Sequence, residues 1–196
     1  MYSNTLVAFL PAVAVALPTT APTVYHAAKA IVARAPPEAN AVLKSVTASG
    51  TGCSENSASF VLGIGDGATV GFDNMIVDST QVDKTKRCVI TLDLQLDSKW
   101  KYTINKATNI RGYVENDGGT YKVAYTVGGK TSDVSDIIPS NPSGGNWVAT
   151  SVSPGATSTY GGGVANIDIF LRLLPVGAQV ATATIDSLDV QFEYSK

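Results

Sequence analysis

Hydrophobic and polar residues alternate along most of the chain beyond residue 41, and this period of two is the pattern of half-buried β-strands. The clearest run covers residues 90–96, where Ile and Leu point to one face while Thr, Asp and Gln point to the other. Further alternating runs cover residues 121–127, 167–173 and 188–194. Together with shorter apolar stretches between them, they predict about nine strands and no long helix in this region.

A β-hairpin is predicted early in the same region. Apolar runs at residues 58–64 and 68–72 flank Gly65-Asp66-Gly67, and Asp-Gly between apolar runs tolerates the positive φ angles of a tight turn. Short strands with one apolar face bury those faces best when two sheets stack. The predicted fold is therefore an all-β antiparallel β-sandwich, one domain over residues 41–196. A closed β-barrel is the alternative, because strand patterning does not separate the two.

Residues 128–163 interrupt the alternation. The segment is rich in Gly, Ser, Thr, Asn and Pro, with apolar pairs at Ile137-Ile138 and Trp147-Val148. It is either one long functional loop or, more simply, a short strand near residues 147–152 between two ordinary loops. Under either interpretation these loops are the predicted locus of function.

The N-terminus predicts secretion. Residues 6–17 form a 12-residue apolar run, which suits the hydrophobic region of a signal peptide and is too short to span a bilayer. Ala14-Val15-Ala16 fits a small-x-small cleavage site, so residues 1–16 are the predicted signal peptide, although no Lys or Arg precedes the run. A buried strand or helix is the alternative. Residues 17–40, rich in Pro, Ala and Thr, are a predicted propeptide or flexible lead.

Charge and histidine content exclude several function classes. The formal net charge is −2 and no basic patch is present, so nucleic-acid binding is not predicted. The only histidine, His26, lies in the predicted lead. Cleavage after Arg34 would leave 12 basic and 16 acidic residues, a net charge of −4, and no histidine. Ser-His-Asp and Cys-His catalysis would then be excluded unless a lysine replaced the base.

The chain has two cysteines, Cys53 and Cys88. An even pair in a chain with a signal peptide favours a disulfide. The alternative is a redox or nucleophilic thiol, which needs an activating base nearby. Two cysteines without histidine do not make a structural zinc site, and no metal or cofactor is predicted.

Four segments together resemble the signature of a family of small secreted proteins, found mainly in fungi and described only as a domain of unknown function. The segments are Val46-Thr47-Ala48-Ser49-Gly50-Thr51-Gly52-Cys53, Gly71-Phe72-Asp73-Asn74-Met75-Ile76, Lys86-Arg87-Cys88-Val89-Ile90-Thr91-Leu92-Asp93-Leu94 and Ile110-Arg111-Gly112-Tyr113. The resemblance implies an extracellular all-β protein with a Cys53–Cys88 disulfide. Some members are regarded as effector-like or cell-surface proteins, and many carry further cysteines that this chain lacks. No catalytic mechanism comes with the resemblance.

Within this signature, Asp73, Asn74, Arg111 and Tyr113 are the candidate motif residues. Alternation places Arg111 and Tyr113 on one face of a strand with Gly112 on the other, which suits a packed tyrosine beside an arginine whose charged end reaches water. The Asp-Asn pair, like Asp66-Gly67 and Asp117-Gly118-Gly119, could supply oxygen ligands to calcium, but Asp, Asn and Gly are also ordinary turn residues.

The remaining candidate functional residues are carboxylates and aromatic side chains. Glycoside hydrolysis needs only two facing carboxylates, whereas most acidic residues here fall on polar strand faces or in turns. The acidic candidates are Asp73, Asp78, Asp93, Asp97, Glu115 and Asp168. Trp100, Trp147 and Tyr160 could form a sugar-stacking platform, although core packing explains a tryptophan equally well.

The sequence therefore predicts a secreted, non-catalytic protein acting at the cell surface or a host interface, with a cell-wall polysaccharide or a host surface protein as partner. A carbohydrate-binding module is the first alternative, and a carboxylate-based glycoside hydrolase is the second. An exposed edge strand could also support a homo-oligomer.

Overall fold

A computed structural model describes residues 31–196 except 33, 54–57, 63–66, 105–106 and 178. The described chain is almost entirely β-structure, with a 3-10 turn at Pro37–Ala39. Its strands are β1 (Val42–Ser49), β2 (Ala58–Leu62), β3 (Gly67–Phe72), β4 (Ile76–Asp78), β5 (Thr85–Gln95), β6 (Lys101–Ile104), β7 (Ala107–Asn116), β8 (Gly119–Val127), β9 (Lys130–Ile138), β10 (Asn141–Val152), β11 (Ala156–Thr157), β12 (Gly162–Leu173), β13 (Thr182–Thr184) and β14 (Ser187–Ser195).

The strands form two antiparallel sheets. The first is five-stranded in the order β1-β5-β12-β8-β9. The second is nine-stranded and follows β11-β6-β14-β7-β13-β4, with β10 paired to β7, β3 to β14 and β2 to β3. The predicted all-β sandwich is confirmed, and the sheets do not close into a barrel. More strands are present than predicted because β4, β11 and β13 are too short to show a period.

The core lies between the inner faces of the two sheets. On β5, Cys88, Ile90, Leu92 and Leu94 are at most 1 % exposed, while the residues between them reach solvent. Ile90 lies opposite Ile167 of β12 in the strand register. The alternation in the sequence therefore reports directly which face of each long strand is buried.

The disulfide predicted between Cys53 and Cys88 is confirmed, with the two Cα atoms 5.3 Å apart. Next to the disulfide, Gly50 and Gly52 let the chain pack closely against β5. A side chain at Gly50 would lie 2.1 Å from the carbonyl oxygen of Arg87, and the Gly52 N–H donates to that same oxygen at 2.9 Å. The Gly-Thr-Gly-Cys segment is therefore a close backbone approach fastened by the disulfide.

The segment at residues 128–163 is not a long loop. Gly128 and Gly129, with φ of 57° and 74°, form the turn between β8 and β9, and β9, β10 and β11 fill most of the remainder. The simpler prediction, a short strand near residues 147–152, is confirmed within the longer β10. The full length of β10 was not predicted because both of its faces are mixed: Trp147, Ala149 and Ser151 point inward, while Val148 and Val152 point outward and are 65 % and 82 % exposed.

Only part of the N-terminal segment lies within the described residues. The predicted signal peptide, His26 and the predicted turn at Asp66 lie outside them. The described end of the lead packs on the sandwich, because Ile31 and Ala39 are buried and the Tyr194 hydroxyl donates to the Ile31 carbonyl at 3.3 Å. None of the helical residues in the described part of the chain makes a run of the length and apolarity needed to cross a membrane.

Candidate functional site

Two turns are joined at one end of the sandwich. The first, after β5, is closed by the Trp100 N–H donating to the Asp97 carbonyl at 2.9 Å, and Asp97 also accepts from the Lys99 N–H at 3.0 Å. The second, before β12, contains Gly161. The Gly161 N–H donates to the Trp100 carbonyl at 2.8 Å, and its carbonyl accepts from the Leu96 N–H at 2.9 Å. These bonds fix the two turns against each other.

Tyr160 occupies the corner of the second turn. Thr159 and Gly162 close that turn through a backbone bond of 3.2 Å and a Thr159 hydroxyl bond of 3.1 Å to the Gly162 carbonyl. Gly161 has φ of 84°, which a residue with a Cβ adopts only with strain. The tight turn projects the phenol ring of Tyr160 outward, where it is 60 % exposed.

A lysine lies over each aromatic ring in this region. The Lys101 Nζ lies 5.2 Å from the centroid of the Tyr160 ring, and the Lys196 Nζ lies 5.1 Å from the Trp100 centroid. Both distances fall in the cation–π range. We call these four residues the aromatic end: Trp100, Lys101, Tyr160 and Lys196.

A separate groove lies along the last strand, and the four residues of the aromatic end are not among its lining. It has a volume of about 330 Å³ and is lined by Arg34, Pro36, Phe192, Glu193 and Tyr194. Below it, burial raises the pKa of the Tyr102 and Tyr194 phenols, so both stay protonated. The Tyr102 hydroxyl donates to the Gly163 carbonyl at 2.9 Å. The two phenols are therefore uncharged, while Arg34 and Glu193 in the groove lining carry opposite charges.

Trp147, the third aromatic named from the sequence, lies elsewhere. Its side chain is 7 % exposed and stacks on Tyr121 of the facing sheet, with ring centroids 5.6 Å apart and an interplanar angle of 21°. A side chain at Gly112 would lie 2.8 Å from the Trp147 Nε1, so the glycine makes room for the indole. Trp147 belongs to the core and is not available to an external ligand.

Arg111 and Asp189 centre a polar network on the outer face of the second sheet. Arg111 binds the Asp189 carboxylate through both terminal nitrogens at 3.2 and 3.0 Å. Asp189 also accepts from Thr69 at 2.8 Å and Asn109 at 3.2 Å. Burial alone would raise the pKa of Asp189, but these hydrogen bonds lower it below the ordinary value. Thr150 completes the network by donating to Asn109 at 2.8 Å.

The remaining motif residues surround this network without forming a pocket with it. Asp73 and Asn74 are exposed in the turn after β3. Tyr113 is half-buried on the same strand as Arg111, and its N–H donates to the Thr184 hydroxyl at 2.8 Å. Arg111 is exposed at its charged end, while Gly112 between them is buried. Tyr113 thus joins β7 to β13, and Arg111 joins β7 to β14 through Asp189.

Several acidic candidates have structural partners. Asp168 forms a two-bond ion pair with Arg87 at 2.8 and 2.7 Å. Asp78 binds the side chains of Thr80 and Gln81 in the turn after β4, which lowers its pKa. Within the described residues no cluster of three or more His, Cys, Asp or Glu side chains could hold a metal ion.

The turn at Asp117-Gly118-Gly119 also has a structural explanation. Asp117 accepts from the Val176 and Gly177 N–H groups at 2.9 and 3.0 Å. A side chain at Gly118 would lie 2.2 Å from the Ile138 carbonyl oxygen. The carboxylate therefore holds the loop before β13, and the glycine permits close packing.

Sequence reasoning named two members of the aromatic end and missed the two lysines. Lys101 adjoins Trp100 in the chain, but nothing in the sequence pairs it with Tyr160. Lys196 reaches Trp100 only because β14 pairs with β6, which sets Ser195 opposite Lys101. Strand register, not a motif, assembles this end of the molecule.

Comparisons with known proteins give one family and several distant structural likenesses. Among solved structures, the carbohydrate-binding module TmCBM61 in complex with β-1,4-galactotriose is 12 % identical, with 78 % of this chain and 90 % of that chain covered and a TM-score of 0.34. The CBM36-1 domain of a multidomain xylanase from the hindgut metagenome of Trinervitermes trinervoides is 17 % identical, with 74 % and 96 % covered and a TM-score of 0.31. No ligand of these proteins is transferred to this chain.

A search of curated proteins finds no significant match. A family model does match, over residues 39–195. The matched region contains both cysteines, the two sheets and three of the four residues of the aromatic end; Lys196 lies just beyond it. The chain belongs to the DUF4360 family, a domain of unknown function.

Proposed function

We propose that the protein is a secreted, non-catalytic binding protein of the cell surface, and that it holds a cell-wall polysaccharide at the aromatic end. The observation that carries the proposal is the exposed Tyr160 ring, projected by a tight turn and bonded through Gly161 to the turn that bears Trp100. Because backbone bonds already fix the turn, ligand binding has only the side-chain torsions of Tyr160 left to restrict.

The chemistry of the aromatic end suits a sugar chain. Aromatic rings offer flat apolar surface to the C–H faces of pyranose rings, and such faces favour aromatic contacts. Lys101 and Lys196 lie at the rim, where their ammonium groups can donate to sugar hydroxyls or to a uronate carboxylate.

The absence of catalysis is part of the proposal. The family region from residue 39 onward contains no histidine, and burial keeps the Tyr102 and Tyr194 phenols protonated. Asp168 is paired with Arg87 and Asp189 with Arg111. The hydrogen bonds to Asp189 lower its pKa, which is opposite to what a general acid needs.

The test is binding to insoluble polysaccharides, with chitin, β-1,3-glucan and cellulose as probes. The wild-type protein should co-sediment with at least one of them. The double variant Trp100→Ala/Tyr160→Ala should bind at least about 10-fold more weakly, a loss of about 1.4 kcal/mol. Phe170→Ala, a half-buried aromatic on the outer face of the other sheet, is the matched control and should bind as wild type.

Two results would contradict the proposal. Release of reducing sugar from any of the polymers by the wild-type protein would show catalysis. Unchanged binding by the double variant, checked for folding by circular dichroism, would remove the aromatic end as the site.

A further inference from the structure

The strand β10 forms an edge of the second sheet. It pairs with β7 along one side, with Trp147 opposite Gly112, Val148 opposite Arg111 and Val152 opposite Ala107. Within the described residues no strand pairs with its other side. An edge of this kind presents unpaired N–H and C=O groups that can pair with another strand.

The hydrogen bonds of β7 show which groups of β10 face the open side. The Arg111 carbonyl accepts from the Asp186 N–H at 2.8 Å, so the backbone groups of Arg111 point away from β10. In an antiparallel ladder, residues opposite each other then form a non-hydrogen-bonded pair. Val148, opposite Arg111, must therefore direct its own N–H and C=O toward the open side. Thr150 and Val152 follow by the period of two.

The first residues of this edge are protected by Pro142 and by a register shift between Asn141 and Gly145, but residues 145–152 carry no bulge, proline or charge. No charged residue occurs between Asp136 and Asp168, and Val148 and Val152 are 65 % and 82 % exposed. The long edges of the first sheet differ. On β9 the sequence places Lys130, Asp133 and Asp136, and β1 carries Lys44 and a register shift between Leu43 and Ser45. Charges and bulges of this kind block edge pairing.

We propose that the open side of β10 is the interface with a second copy of this chain, paired antiparallel about a two-fold axis at Thr150. This register sets Val148 opposite Val152 of the second copy, so each exposed valine packs against the other and loses part of its contact with water. Since the strand is uncharged, pairing it with itself brings no like charges together. The contact is closed and self-complementary, as an isologous dimer requires.

Residue 150 provides a sharp test because it faces itself across the axis. Sedimentation equilibrium of the purified protein should give twice the monomer mass. Thr150→Lys and Thr150→Glu, each placing two like charges opposite, should weaken dimerisation at least about 10-fold. A mixture of the two variants should restore the dimer mass, since opposite charges then face each other.

Thr91→Lys is the matched control. Thr91 donates to the Asn166 side chain at 2.8 Å, as Thr150 donates to Asn109 at 2.8 Å, but it lies on a central strand of the first sheet. Its substitution removes an equivalent hydrogen bond and adds the same charge away from β10. The control should keep the dimer mass.

Amide hydrogen exchange on the wild-type protein tests the geometry without any variant. The N–H groups of Val148, Thr150 and Val152 should gain protection with rising protein concentration. Those of Trp147, Ala149 and Ser151, which face β7, should be protected at every concentration. A monomer at all concentrations, a dimer unaffected by Thr150→Lys, or a dimer whose Val148 and Thr150 amides stay unprotected would each overturn the proposal. If the protein is a monomer, an extended peptide of another protein becomes the candidate partner of the β10 edge.

Discussion

The Cys53–Cys88 disulfide offers a quantitative test of how the first strands are held. The two cysteines are 35 residues apart in sequence, and both are fully buried. Cross-linking a loop of this size restricts the unfolded chain by about 4 kcal/mol in the chain-entropy account. For a chain of this length, the melting temperature should then fall by roughly 8–16 °C when the bond is removed.

Urea unfolding should be compared for the oxidised protein, the reduced protein and the variant Cys53→Ala/Cys88→Ala. Reduction keeps both sulfur atoms in the core, so the difference between oxidised and reduced protein isolates the cross-link. The urea m-value should also rise on reduction, because an uncrosslinked unfolded chain exposes more surface. The alanine variant should lose a further amount for the missing sulfur atoms.

A difference of less than about 1 kcal/mol between oxidised and reduced protein would refute this reasoning. It would mean that the unfolded chain stays compact in this region without the bond. The contacts of Gly50 and Gly52 with β5, rather than the disulfide, would then hold the segment in place.

Three further predictions concern the second sheet. Gly112→Ala should lower the free energy of urea unfolding by about 1–3 kcal/mol, because the added Cβ would lie 2.0 Å from a backbone oxygen. The control Gly129→Asn lies in an open turn with φ of 74° and should change the free energy of unfolding by less than about 1 kcal/mol. Trp147→Ala should cost about 3–5 kcal/mol in the same assay while polysaccharide co-sedimentation of the folded variant persists. The pKa of Asp189 is lowered on folding, so its contribution to stability is present above about pH 4 and is lost as the pH falls further. The melting temperature of the wild type should therefore fall more steeply below pH 4 than that of Asp189→Asn, and parallel curves would count against the network.

The long strands were predictable because the alternation of buried and exposed residues appears within the sequence of each strand. On β5 and β12, apolar residues at every second position face the core whatever the neighbouring strand is, so the period appears in the sequence. The disulfide was predictable for a similar reason, since the chain offers only one pair of cysteines. Two stacked sheets follow from many strands with one apolar face each.

The strand β10 shows where such alternation is absent. Its inward side carries Trp147, Ala149 and Ser151 and its outward side Val148, Thr150 and Val152. Apolar and polar residues occur on both faces, so the sequence of this strand shows no period of two. Trp147 could be placed only once Gly112 was known to lie opposite it. That relation leaves no period in the sequence.

The sequence by itself determined the long alternating strands, the cross-link and two of the residues at the aromatic end. Tertiary structure decided which aromatic residues share a surface. Trp100 and Tyr160 lie together because the Gly161 backbone bonds to Trp100, and Lys196 joins them through the pairing of β14 with β6. Contacts between residues so distant in the chain depend on the register of whole strands, which no short segment encodes.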